Sequence, residues 1–188
     1  MHPQQDDLEK AILHYSEGKN EESLNLYKEI IAKDSAWGTP YYNMGLVYKY
    51  SLDWSNSFYY NQKAVELEPE NEAGWWNLGI AATMLEEWKI ARTCWNRCGM
   101  KYEENDTDPY GNAGSAQVRL NPKADGEVVW TTRVDPARAI INSIPFPESN
   151  HRYKDLILND GAVFGTRISN GREYPVLNEL QLIKQSDY

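Results

Sequence analysis

The sequence predicts an α+β protein: an α-helical solenoid of three helix-turn-helix repeats, followed by a small antiparallel β-rich domain. Three observations predict it. YYNMG at 41–45 returns as WWNLG at 75–79, a recurrence of 34 residues that is the spacing of a helical repeat. Helical spacing of apolar residues stops near residue 105, where YEENDTDPYGNAGSAQ (102–117) brings a cluster of Asp, Asn and Gly. Beyond it, the runs AVFGTRI and REYPVL flank Asn170-Gly171, the strongest short-range hairpin signal. The expected boundaries are 4–104 for the repeats, 105–126 for a linker and 127–188 for the β-rich domain.

The chain of 188 residues is 41% hydrophobic and 12% aromatic, enough apolar material for a packed core. Its formal charge of −9 disfavours phosphate backbones and anionic lipid, so neither nucleic acid nor membrane is an expected partner. The charge is concentrated early: residues 1–105 carry −7 and residues 106–188 carry −2. The polar, acidic start MHPQQDDLEK does not read as a secretory signal. Cys94 and Cys98 lie four apart without a nearby His, which favours buried reduced thiols over a metal or redox pair. No cofactor is expected, and the cytoplasm is the expected location.

On a 34-residue frame beginning at Gln4, Gly38 and Glu72, the eighth position reads Ala11, Gly45, Gly79 and the twentieth Ser23, Ser57, Ala91. All are small. The twenty-fourth position reads Tyr27, Asn61, Trp95. Paired helices approach closely where one presents small side chains, and large rings fill the gaps beside them. Thr39-Pro40 places a capping hydroxyl before a proline suited to a first helical turn, and Asn71 is a second candidate cap. Pro69, lacking an N–H, stops the helix before it.

This pattern resembles the tetratricopeptide repeat (TPR), W-x2-L-G-x2-Y, then A-x3-F, then P. Trp75, Leu78, Gly79, Ala91 and Trp95 carry it in the third repeat; Gly45, Tyr48, Ala64 and Pro69 carry it in the second. The first keeps Ala11, Ser23 and Tyr27. The resemblance implies a superhelix whose inner wall binds other proteins.

At about 100° per residue, Tyr41, Met44, Gly45 and Tyr48 share one stripe, as do Trp75, Leu78, Gly79 and Ala82. The first aromatic of each pair is therefore structural. Tyr42, Asn43, Leu46 and Tyr50 are rotated off that stripe, as are Trp76, Asn77, Ile80 and Met84, and these eight are the candidate peptide-binding residues. An amide both donates and accepts, so it can pair with a peptide backbone of any sequence. The recurring Asn resembles the asparagine ladder in the TPR superhelix of O-GlcNAc transferase. Docking against the chain's own C-terminal half, or simple extension of the core, are alternative uses of the same residues. A dicarboxylate clamp of the kind seen in some TPR proteins is disfavoured, because Leu8, Ile12 and Ala73 stand where that subtype has Lys or Asn.

In the C-terminal half, EVVWTTRV (127–134), RAIINSIPF (138–146) and YKDLILND (153–160) read as strands, with a tight turn at Asp160-Gly161 and ELQLI as a closing strand. The stretch from EVVW to YPVLNEL is similar to tails of uncharacterised bacterial TPR proteins, and that likeness brings no activity. His151, Asp155, Asp160, Arg133 and Asp135 are the groups from which catalysis would have to be built, and no spacing among them demands it. The chain is expected to be a non-enzymatic adaptor that binds an extended segment of another protein. The alternative is a β domain that binds a small ligand or carries a cryptic activity, with the repeats as a docking handle. The β domain is also expected to cap the exposed end of the repeat stack.

Overall fold

The computed structural model describes residues 2–124 and 126–188. It divides into two compact units, Met1–Thr107 and Asp108–Tyr188. The first is all helix: α1 (Gln5–Ser16), α2 (Asn20–Lys33), α3 (Gly38–Tyr50), α4 (Trp54–Leu67), α5 (Glu72–Met84) and α6 (Trp88–Arg97). No helix among the described residues is long and apolar enough to cross a membrane.

The three helix pairs are built alike. In each, the turn between the two helices holds one residue at positive φ, at 34-residue intervals: Gly18 (76°), Leu52 (60°) and Glu86 (59°). The next residue's N–H reaches back to the same place each time, Lys19 to His14 O, Asp53 to Tyr48 O and Glu87 to Ala82 O. This is the left-handed helix end, which leaves no carbonyl stranded. Where the small residues sit, the helices touch. A Cβ on Gly45 would lie 2.4 Å from the Asn61 amide, and one on Gly79 would lie 2.6 Å from the Trp95 ring. The serines of the partner helix bind across the same contact: Ser23 Oγ donates to Ala11 O at 2.8 Å and Ser57 Oγ to Gly45 O at 3.1 Å.

Asn71 caps α5 through Gly74 N, as expected, and α4 stops at Leu67, ahead of Pro69. Thr39 does not cap α3. The helix begins earlier, at Gly38, because a residue without a side chain fits against Glu68, and the Thr39 hydroxyl faces the Glu68 carboxylate at 3.3 Å instead.

The second unit is a closed five-stranded barrel, β1 (Ser115–Arg119), β2 (Val128–Arg133), β3 (Arg138–Ile141), β4 (Leu156–Ser169) and β5 (Arg172–Lys184), in sequence order around the wall. Each consecutive pair is antiparallel, and β1 closes on β5 in parallel. The small, mainly antiparallel domain expected from the sequence is present, and because an up-and-down wall with an odd strand number leaves first and last strands pointing the same way, its closing pair is parallel. Inward residues alternate along the strands: Ala116, Val118 and Leu120, then Val129, Ala139, Ile141, Ile157 and Leu177.

Two further expectations are corrected. The linker read at 105–126 contains β1, whose short run SAQVR lies between Gly- and Asn-rich flanks. The turn read at Asp160-Gly161 is an irregularity inside one continuous strand; Gly161 takes φ 73° where β4 shifts register against β5. Asn170-Gly171 does form the hairpin turn, both residues at positive φ.

Candidate functional site

α1, α3 and α5, the first helices of the three repeats, pack against one another and form one wall of the helical unit. The core stripe lies where the periodicity puts it. Met44 and Leu78 are buried, Tyr48 stacks on Tyr60 with ring centres 5.4 Å apart, and Trp75 packs against Val65, Leu78 and Cys94.

Of the eight off-stripe residues, Tyr42, Asn43, Leu46, Trp76 and Met84 are half-buried and Tyr50 is exposed. Asn77 and Ile80 are enclosed, at 4% and 0% exposure. The two aromatics of the pair position are not equivalent. The Trp76 ring meets the Trp95 ring edge-on at 5.2 Å, and Trp95 is the ring that fills the space left by Gly79. Trp76 therefore leans on the core as well as standing on the wall.

Lys49 was not anticipated. It sits in the last turn of α3, is 3% exposed, and its ammonium donates to Asn77 Oδ1 at 2.9 Å while lying 4.5 Å from the centre of the Tyr50 ring. A buried ammonium is costly unless its protons are bonded. A charged hydrogen bond of this kind returns about 1.5–3 kcal/mol, and the ring face adds to it. The bond joins the twelfth position of one repeat to the sixth of the next, so an alignment within repeats gives no sign of it. Its effect is to hold the Asn77 amide in one orientation, oxygen toward Lys49 and N–H2 away. The Asn77 amide is therefore fixed in place, with its oxygen already in use.

The two thiols are free. Cys94 is buried and its pKa is driven far up by desolvation; Cys98 is pushed up to about 11 by burial, with the Glu72 charge adding to it. Both stay protonated and inert near neutrality.

In the barrel, the residues considered for catalysis do other things. Asp135 Oδ1 accepts from the N–H groups of Ala137 and Arg138, and Oδ2 pairs with Arg138 Nε. Asp155 accepts from Arg152 N and Ser186 N, both at 2.7 Å, tying the C-terminal segment to the start of β4. Arg133 donates to Pro136 O. Asp160 is buried at the irregularity in β4. His151 pairs not with Asp155 but with Glu179, at 2.6 Å. Among the described residues, no group of three His, Cys, Asp or Glu side chains is placed to hold a metal.

No family model matches the chain, and no curated protein matches it by sequence. Similar solved structures include the second TPR of Spaghetti (RPAP3) bound to the HSP90 peptide SRMEEVD. It is 19% identical, covers 50% of this chain and 86% of that one, and has a TM-score of 0.47. The TPR2B domain of yeast Sti1 in complex with an Hsp70 peptide is 16% identical, covers 49% and 77%, and has a TM-score of 0.44. By its 34-residue period, its recurring left-handed turn and its small-residue helix contacts, the N-terminal unit has the architecture of three stacked tetratricopeptide repeats.

Proposed function

We propose that the protein is a non-enzymatic adaptor whose helical unit holds an extended segment of another protein against the wall of α1, α3 and α5. The observation that carries this reading is the matched placement of an aromatic and an amide on successive first helices, Tyr42-Asn43 and Trp76-Asn77. The open contact surface is Tyr42, Asn43, Leu46, Tyr50, Trp76 and Met84, with Asn77 and Ile80 behind it. Asn43 supplies a backbone-reading amide worth about 1 kcal/mol, and each ring covered by the segment adds about 1–3 kcal/mol. After the cost of association this gives roughly micromolar affinity. The free, inert thiols suit a reducing compartment, and we place the adaptor in the cytoplasm.

The test is capture from host lysate by the intact protein beside Asn43→Ala, the two matched in melting temperature. Asn77 is left in place because its removal would also take a hydrogen bond from the buried Lys49. The reading expects a protein retained by the intact chain, held about fivefold more weakly by the variant, and displaced in competition by one linear peptide of its own sequence. Equal capture by both chains overturns it.

A further inference from the structure

Four residues of the barrel close a ring of hydrogen bonds. His151 Nε2 meets Glu179 Oε1 at 2.6 Å, and Glu179 Oε2 accepts from Asn121 N at 2.9 Å. Asn121 Nδ2 donates to Ser149 O at 2.9 Å, and the same carbonyl faces His151 Nδ1 at 2.8 Å. Three separate segments meet here: the residue after Leu120 that leaves β1, the 3₁₀ turn Pro147–Ser149 with its exit, and β5. Asn121 holds φ 47° and Asn150 φ 58°, left-handed conformations that need local support. Asn121, Ser149 and Asn150 also line a cavity of about 640 Å³, together with Ala124, Glu127, Phe146 and Glu148.

The proton count of the ring decides whether it holds. A carbonyl oxygen only accepts, so His151 Nδ1 must carry a proton. The contact between Nε2 and the Glu179 carboxylate needs a second. If one of the two leaves, a ring-nitrogen lone pair faces an oxygen at hydrogen-bond distance with nothing between them, the Glu179 carboxylate at Nε2 or the Ser149 carbonyl at Nδ1 according to the tautomer. Both side chains are only 6% exposed, so water screens the clash poorly.

We propose that His151 and Glu179 form a proton-operated latch that fixes the Asn121 and Ser149–Asn150 rim of this cavity to β5 and frees it when the shared proton is lost. The groups facing the imidazole are Glu179 from β5 and Asp155 just before β4, both acidic; Glu127 and Glu148 stand on the cavity wall. No cation opposes the proton from these positions. The Glu179 hydrogen bond is the main influence raising the His151 pKa above its ordinary 6.5; burial works against it, and the Glu179 and Asp155 charges and the Ser149 carbonyl add to it. The sign follows. A histidine whose pKa is raised by folding contributes its full stabilisation below the unfolded value, and loses it as pH climbs through the folded value. The latch is closed below 6.5 and opens as pH climbs through the raised His151 value.

The test is a pH series on the intact chain, following the His151 ring resonances together with the exchange protection of the Asn121 amide, corrected for base catalysis. The latch requires His151 to titrate above 6.5 and Asn121 protection to fall in the same step. In Glu179→Gln, which removes the charge and keeps the shape, the His151 step moves to lower pH. A His151 that titrates while Asn121 protection stays flat overturns the proposal, as does a step at or below 6.5 in the unaltered chain. Neither readout depends on a peptide ligand.

Discussion

In the helical unit the fully buried hydroxyls of Ser23 and Ser57 each donate to a carbonyl in the partner helix of the same repeat, twelve residues away. The barrel uses polar groups differently. Asp135 and Asp155 each gather two backbone N–H groups, Asp135 also pairs with Arg138, and Glu179 joins segments 58 and 28 residues away in sequence. The difference has a physical source. A helix satisfies its own backbone and needs only a close-fitting neighbour, whereas turns between barrel strands leave donors that a side chain must collect. Stability in the first unit is therefore spread over many small, repeated contacts, and in the second it is concentrated at a few carboxylates.

The strongest way to break this contrast is at Asp135. Asp135→Ala strands two backbone donors and one side of a buried guanidinium pair, while Asp108 still holds Arg138. The expected loss is about 3 kcal/mol, the low end for a broken buried pair. It should be read from native-state hydrogen exchange of barrel amides, with the helical unit as internal reference. A loss under 1 kcal/mol, or one shared equally by the helices, contradicts the comparison.

A smaller effect is expected at the repeat contacts. Gly79→Ala gains about 1 kcal/mol of helix propensity and meets the rigid Trp95 ring, where overpacking costs about 1–3 kcal/mol, so helix unfolding shifts to lower temperature. Gly45→Ala meets the Asn61 amide, buried and held by Ser57, at a shorter 2.4 Å and loses at least as much. Circular-dichroism melts of the two variants that rank the other way remove the packing argument.

The smallest effect is a gain. Leu52 is 42% exposed and takes the left-handed turn that Gly18 takes without cost. Leu52→Gly should stabilise the helical unit by about 1 kcal/mol in chemical denaturation, and Gly18→Ala should cost a similar amount. A destabilised Leu52→Gly means the side chain does more than its exposure indicates.

The same contrast explains what the sequence made legible. Helix pairs were readable because their contacts recur at fixed local spacing: small residues at Gly45 and Gly79, rings at Tyr27 and Trp95. The recurring positive-φ position was not, since Leu52 and Glu86 carry no mark of it. In the barrel, β1 was hidden because a five-residue strand between Asn/Gly-rich flanks reads as loop. β4 was cut short because Asp160-Gly161 looks like a turn, although Gly161 sits at a register shift, and β5 was read as REYPVL and a separate ELQLI, although Asn178 between them pairs with β1 inside one strand. The doubled aromatic and Asn marked the candidate wall, yet Lys49 escaped notice because its partner Asn77 lies in the next repeat. His151 was seen among five candidate groups that did not include Glu179; Glu179, 28 residues on, is its partner because the fold and not the spacing brings them together.

The central claim is that the wall of α1, α3 and α5 receives an extended segment. The most direct measurement places a photo-crosslinking residue at Asn43 on that wall and, separately, at Lys28 on an exposed position of α2, followed by mapping of the crosslinked peptides. The account predicts that Asn43 captures one short linear segment of a partner protein and that Lys28 does not. Capture from both positions alike, or from Asn43 to scattered surfaces of a folded partner, contradicts it.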